Sequence, residues 1–379
     1  VSEAPGASRP HDDDGPSTGT GAARLPPTPA AYAALGPQQV LDALQAVGLA
    51  GDGRVLQLNS YENRVFQVFL EDGSAVVAKC YRPGRWSDAQ ILEEHAFALE
   101  LAAAEVPVLA PQVLQHDATG DRLGLTLHGQ PPTLAAWRAD DTRHRIAASP
   151  RCAGREPELD DPAVLRQIGR FIGRLHAVGR QRPFNHRVRL DPAVDGPRAL
   201  ALLRAGGVLT PAELPAWQDA AQLAVDAVVA AFDRLQRQGG LPTLRLHGDC
   251  HPGNVLWRHH TSAEGHAPGP HLVDLDDAVQ GPAVQDLWML VSGDAASTQR
   301  QWRTLLEGYE QFNDFDDREL ALVEPLRTLR MLRHSAWLAE RWSDPTFPLN
   351  FPFFGTAAYW SQQTTLLREQ LVLMDAGGA

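Results

Sequence analysis

Asp249 and Asn254 stand five residues apart in Leu246-His-Gly-Asp-Cys-His-Pro-Gly-Asn254. Those residue types suit phosphoryl transfer. An aspartate orients an attacking hydroxyl and accepts its proton, and an asparagine five residues later offers an amide oxygen to magnesium. One loop can then place a base on the nucleophile side and a ligand on the metal side. The spacing alone is common; the next segment makes it specific. His271-Leu-Val-Asp274 is an apolar run that ends in a carboxylate. Magnesium usually takes one or two carboxylates together with phosphate oxygens. Asp274 is therefore a candidate catalytic carboxylate and, with Asn254, a candidate metal ligand. Asp276 and Asp277, just beyond it, read as a solvated acidic turn.

Upstream, Ala75-Val-Val-Ala-Lys79 is an apolar run that ends in a lysine. A strand of this kind can present its ammonium to the α- and β-phosphates of a nucleotide. Glu93 and Glu94 lie on a helix expected over residues 87–104, and one of them should pair with Lys79. Asn59-Ser60-Tyr61-Glu62-Asn63 separates two strand-like runs where a glycine-rich phosphate loop would sit, yet it has no G-x-G-x-x-G. Backbone N–H groups and the Ser60 hydroxyl would have to meet the phosphates instead.

These residues need elements to hold them. Residues 244–246 and 255–257 read as short buried strands flanking the reactive loop. His247 reads as architectural, His251 as a loop-positioning residue, and Asp286 as a carboxylate that accepts loop N–H bonds. A helix should start near Asp161-Pro162, with Val164, Ile168, Phe171, Ile172 and Leu175 on one face and His176 in a structural role. Further helices are expected over 38–47, 211–238 and most of 301–373. An interlobe hinge is expected near 127–132, a loop over 139–160 and an insertion-like turn over 259–270. Arg327, Arg330 and Arg333 share a helix face that reads as packing plus solvated charge, with an acceptor-pocket border as the other reading.

Composition sets outer limits. A chain of 379 residues with 44% hydrophobic content has room for two lobes around a cleft. A net charge of −12 disfavours nucleic-acid and anionic-membrane surfaces. Three widely spaced cysteines fit a reducing compartment with no disulfide framework. No run approaches a membrane span and no leader pattern opens the chain, so a cytoplasmic monomer is expected. Residues 1–30 are rich in Pro, Gly, Ala, Ser and Asp and contain no Phe, Tyr or Trp, which predicts a disordered tail.

His-Gly-Asp-x-His-x-Gly-Asn followed by hydrophobic-Asp resembles the aminoglycoside phosphotransferase and choline kinase branch of the protein-kinase-like fold. Within that branch several stretches resemble the bacterial stress response kinase A family. They include Leu58-Asn-Ser-Tyr-Glu-Asn-Arg-Val-Phe66, Tyr81-Arg-Pro-Gly-Arg-Trp86, Ile91-Leu-Glu-Glu-His95 and Gly281-Pro-Ala-Val-Gln-Asp-Leu-Trp288. The resemblance covers residues from about 36 to about 370. It implies an α+β fold with two lobes: a small β-rich lobe over residues 31–130 that binds nucleotide, and a larger, mainly helical lobe over 131–379. It favours Glu94 over Glu93 as the partner of Lys79. It implies an ATP-dependent, magnesium-requiring kinase for Ser/Thr hydroxyls of proteins, acting in a stress response. The alternatives are a small-molecule kinase of the choline or aminoglycoside type, for which Trp337, Trp342 and Trp360 could form an aromatic cage, and a nucleotide-binding scaffold without turnover.

Overall fold

Six strands form one antiparallel sheet in the order β1-β2-β3-β6-β5-β4. They are β1 (Gly51–Leu58), β2 (Arg64–Leu70), β3 (Ala75–Cys80), β4 (Thr126–His128), β5 (Leu134–Ala139) and β6 (Thr142–Pro150). The computed structural model describes residue 32 and residues 35–115, 124–139, 142–260 and 268–376. The tail expected over 1–30 and the middle of the turn at 259–270 lie outside those residues. Alternating burial along β2 and β3 puts Phe66, Val68, Val76 and Ala78 into a core closed by helix α1 (Pro37–Ala46).

The sheet continues to Pro150, which corrects three expectations. Residues 142–150 are a strand and not a loop, residues 127–132 join β4 to β5 within the sheet and not one lobe to the other, and a lobe boundary at 130 falls inside the sheet. The reason is side-chain chemistry. Thr142-Arg-His-Arg145 opens β6 with polar residues that hide its period. Arg143 and Arg145 are matched by one carboxylate, Asp88, at 2.6–2.7 Å. Asp88 is the first residue of helix α2 (Asp88–Ala103), whose N-terminus is capped by Ser87. Burial of Phe97 and Leu101 joins α2 to the core of the second lobe.

The second lobe is helical. Helix α3 (Pro162–Gly179) starts at Asp161, whose carboxylate accepts the Ala163 N–H, and buries Leu165, Ile168, Ile172 and Leu175. It packs on α6 (Ala295–Tyr309) at backbone range, because a Cβ on Gly308 would come within 2.0 Å of the Arg166 carbonyl oxygen. Helices α4 (Pro192–Ala205), α5 (Leu214–Arg237), α7 (Val323–Glu340), α8 (Thr346–Asn350) and α9 (Ala357–Ala376) complete it around Trp217 and Trp360. The chain is thus α+β, an N-terminal antiparallel sheet on a helical C-terminal part. Among the described residues no helix is long and apolar enough to cross a membrane.

Candidate active site

Strands β7 (Leu244–Leu246) and β8 (Val255–Arg258) flank the reactive loop, as expected, but do not pair with each other. β7 pairs with β10 (Val279–Gly281), and β8 pairs with β9 (Gly269–Leu272). The loop therefore needs a separate anchor, and fully buried Asp286 supplies it. Its carboxylate accepts the N–H of His247 at 2.7 Å and of Gly248 at 2.8 Å, with His176 Nε2 at 3.1 Å. His176 in turn meets the Tyr309 hydroxyl at 2.9 Å, which is the structural role expected of it. Gly248 has φ +87°, and a Cβ there would lie 2.0 Å from the Asp277 carbonyl oxygen, so only glycine fits between His247 and Asp249.

His247 Nε2 lies 2.8 Å from the Val273 carbonyl oxygen, and the Val273 N–H donates to the Asn254 carbonyl at 3.0 Å. The loop is thereby stitched to the residue before Asp274. Asn254 Nδ2 donates to the Asp249 carbonyl at 2.9 Å, which turns the amide oxygen the other way. An amide oxygen and the half-exposed Asp274 carboxylate are hard oxygen donors, so this donor set fits magnesium completed by phosphate oxygens and water. Asp274 holds φ 61°, a left-handed conformation rare for an aspartate and common at functional sites.

Lys79 reaches across from β3 and places Nζ 2.8 Å from Asp274 and 3.2 Å from Asp276. Burial opposes its charge, but the two carboxylates outweigh burial and hold the ammonium well above the ordinary lysine range. The expected Lys79–Glu94 ion pair is not formed, because those two aspartates take the ammonium first. Glu94 is buried beside His95, and burial pushes its carboxyl up to about 7 although Lys79 and Arg187 pull it down. Glu93 does not reach Lys79 either. It accepts the N–H groups of Asn185, His186 and Arg187 at 2.6–2.7 Å.

Asp276 corrects the reading of a solvated acidic turn. It is buried and gathers Arg85 at 2.6 Å, Asn63 at 3.1 Å and Lys79 at 3.2 Å. Burial would raise its pKa, yet these partners hold the carboxyl below the usual range. Asp277 is more exposed and takes Arg85 Nη2 at 2.5 Å. Arg85 and Asn63 were within reach of sequence reading, since both sit in the motif stretches, but nothing in their spacing named a partner some 190 to 213 residues away.

Asp249 is paired with Arg330 of α7 through Oδ1, and His251 Nε2 lies 3.6 Å from Oδ2. Burial raises the Asp249 pKa, but Arg330 outweighs it and the carboxyl lies below its ordinary value. Arg330 is thus a paired helix charge that stays exposed. The turn 59–63 is also tied to the second lobe. Glu62 takes Arg341 Nε at 2.6 Å and Trp337 Nε1 at 2.5 Å, Arg82 meets Asp344 at 3.1 Å, and Tyr61 packs on Phe351. Ser60 is half-buried in the same turn. The tryptophans proposed for an aromatic cage serve packing: Trp360 is fully buried against Trp217, Trp342 stacks near Phe354, and Trp337 lies on Phe347 and Phe351.

Residues 54–323 match the family described as "Phosphotransferase enzyme family" (APH). The chain is 43% identical over 346 residues to "Stress response kinase A" of Salmonella choleraesuis, covering 90% of this chain and 94% of that protein. It has the same identity and coverage with "Serine/threonine protein kinase RdoA" of Salmonella typhimurium. Among solved structures it resembles the amicoumacin kinase hAmiN, in complex with AMP-PNP, Ca2+ and Ami, with a TM-score of 0.65 and 18% identity over 90% of this chain and 93% of that one. At that identity the likeness speaks for the fold.

Proposed function

The chain belongs to the phosphotransferase enzyme family and, within it, to the stress response kinase A group, and on that premise we propose that it is an ATP-dependent kinase of Ser/Thr hydroxyls on proteins. The observation that carries the reading is one junction. Asp249, Asn254 and Asp274 are stitched together by backbone and amide hydrogen bonds, and Lys79 arrives on Asp274 from the other lobe. In this reading a base, two oxygen ligands and a phosphate-binding cation would act at one junction.

In this reading Asp249 orients the acceptor hydroxyl and takes its proton as the acceptor oxygen bonds to the γ-phosphorus and the bond to the β-phosphate oxygen breaks. Asn254 and Asp274 would hold magnesium, which neutralises charge on the phosphates. Lys79 exchanges its aspartate partners for phosphate oxygens, with the buried Glu94 behind it. The turn 59–63, Ser60 included, closes over the nucleotide. Most of the acceleration would come from positioning and charge neutralisation. A cytoplasmic setting agrees with three free cysteines.

The protein acceptor rests on the name carried by one relative. A small-molecule acceptor has one observation in its favour, a cavity of about 390 Å³ lined by His334, Phe353, Tyr359, Gln362 and Gln363, a size that suits small ligands. The test is γ-labelled ATP with magnesium, offered the protein alone, mixed protein substrates, and a panel of amino alcohols and aminoglycosides. Label on protein Ser/Thr and none on the metabolites is the expected result. Label on metabolites alone overturns the protein acceptor.

A further inference from the structure

Arg330 occupies one of the two carboxylate oxygens of Asp249. Its Nη1 donates to Asp249 Oδ1, while His251 stands 3.6 Å from the other oxygen. One oxygen of the carboxylate is therefore taken by a guanidinium, and a hydroxyl that is to use that oxygen must wait for Arg330 to move. Arg330 is the mobile candidate, since its side chain is 45% exposed even while paired. One helical turn earlier on α7, Arg327 lies over Trp288 at 5.1 Å and is already matched by Glu324 at 3.1 Å. One turn later, His334 borders the 390 Å³ cavity, and no acidic side chain lines that cavity.

We propose that Arg330 selects acceptors that carry an anion next to the hydroxyl, an acidic peptide in the first instance, by passing from Asp249 to that anion as the acceptor docks. The inference deepens the kinase reading above and rests on it. The exchange conserves charge pairs. Arg330 trades one carboxylate for another carboxylate or a phosphate, both of which guanidinium binds in the same forked geometry, and Asp249 is released to the hydroxyl. A neutral acceptor must break the Arg330–Asp249 pair without replacement. A cationic one also brings like charge beside a guanidinium that has lost its partner. The anion must lie within a side chain's reach of the hydroxyl, which at 3.3–3.6 Å per extended residue means the adjacent residue or the one after it. The whole chain carries −12, so long-range attraction would draw basic acceptors, and a preference for acidic ones would have to arise locally.

The experiment measures initial rates of transfer from γ-labelled ATP to matched single-serine peptides with Glu, Gln or Lys beside the serine. The same assay covers matched small alcohols, a hydroxy acid against an amino alcohol. Wild type should favour Glu over Gln by about tenfold, the worth of one charge-assisted exchange, with Lys slowest. Arg330→Gln should bring the Glu/Gln ratio to within about twofold, and Arg330→Glu should shift the preference to Lys. Ratios are read within each variant, so a change in overall rate or stability does not enter; should Arg330→Glu not fold, the Arg330→Gln ratio decides. Equal rates across charges, a wild-type preference for Lys, or an unchanged ratio in Arg330→Gln overturns the inference, as does failure to label any anionic acceptor. Labelling of the hydroxy acid over the amino alcohol, with no peptide labelled, keeps Arg330 in this role and overturns only the protein acceptor.

Discussion

Asp286 and Glu62 each gather several donors, one beneath the catalytic loop and the other in the turn between β1 and β2. Asp286 is fully buried, and its donors are two backbone N–H groups and a buried histidine, all from its own lobe. Glu62 keeps 12% of its side chain exposed, and its donors are Arg341, Trp337 and Arg82, two of which come from the opposite lobe. A buried backbone donor has no other partner to turn to, so the first arrangement fixes geometry. Arginine side chains turn about several bonds and can take other partners, so the second arrangement joins the lobes without fixing a backbone. The same contrast runs through the carboxylates of the site. Asp249 and Asp274 are each held by one long Arg or Lys side chain, whereas buried Asp276 is held by Arg85, Asn63 and Lys79 together.

The comparison breaks most visibly at Asp286. Asp286→Ala leaves the His247 and Gly248 N–H groups and His176 without their acceptor in a dry interior. Each unsatisfied buried group costs about 1–3 kcal/mol, so a total loss of at least about 3 kcal/mol is expected, a large share of a typical domain's stability. Urea unfolding checks it. A variant with wild-type stability would mean that the loop is held by something else.

Asp249→Asn should do the opposite, leaving the fold and removing turnover. Positioned general bases contribute about 10²–10⁴-fold, and that is the expected fall in kcat with γ-labelled ATP, at an unfolding midpoint close to wild type. Asp274→Ala belongs with it: magnesium-dependent turnover should be lost when ATP is titrated with and without the metal. If the Asp274 variant keeps turnover, Asp276 is the next acid to test, although its ties to Arg85, Asn63 and Lys79 argue against a free ligand.

How much of this was legible in the sequence obeys the same division. The catalytic loop, its two strands, the helix from Asp161 and the anchoring role of Asp286 could be read, because each depends on local spacing and on apolar periods. The family could be read because its motifs are local too. Pairings made by long charged side chains across the chain could not be read: Arg330 with Asp249, Arg85 with Asp276, Arg341 with Glu62. A guanidinium at the end of several rotatable bonds leaves no periodic trace. β6 was missed for a related reason. Its first residues look like a loop until Asp88 is placed opposite Arg143 and Arg145.

Glu62→Gln probes the exchangeable side. The amide keeps the shape and can still hydrogen-bond, but Arg341 and Arg82 each lose one of two counter-charges, keeping Glu340 and Asp344. Charge-assisted bonds exceed neutral ones by about 1–1.5 kcal/mol, so KM for ATP should rise by about tenfold while kcat changes less than threefold, roughly 0.6 kcal/mol. Steady-state kinetics on the purified variant checks the split. A fall in kcat with KM unchanged would place the clamp in the chemistry and not in closure.

The most local effect is expected at Ser60. The turn 59–63 has none of the glycines that let a backbone approach phosphates closely, and Ser60 is the smaller of its two hydroxyl-bearing residues. The turn is already drawn down by its neighbours, with Asn63 on Asp276 and Glu62 on Arg341. Ser60 is therefore free to serve the nucleotide without being needed to hold the turn. A hydrogen bond to a charged acceptor is worth about 1.5–3 kcal/mol and a neutral one about 0.5–1.5. Ser60→Ala should accordingly weaken ATP by about tenfold, or about 1.4 kcal/mol, and leave thermal stability almost unchanged. If Ser60 instead makes only a local turn bond, the variant loses stability and binds ATP normally. Titration calorimetry and a melting curve on the same preparation separate the two. If neither quantity moves, the phosphates are met by backbone N–H groups alone, and closure of this turn then depends on Glu62 and Asn63 rather than on any side chain that touches the nucleotide.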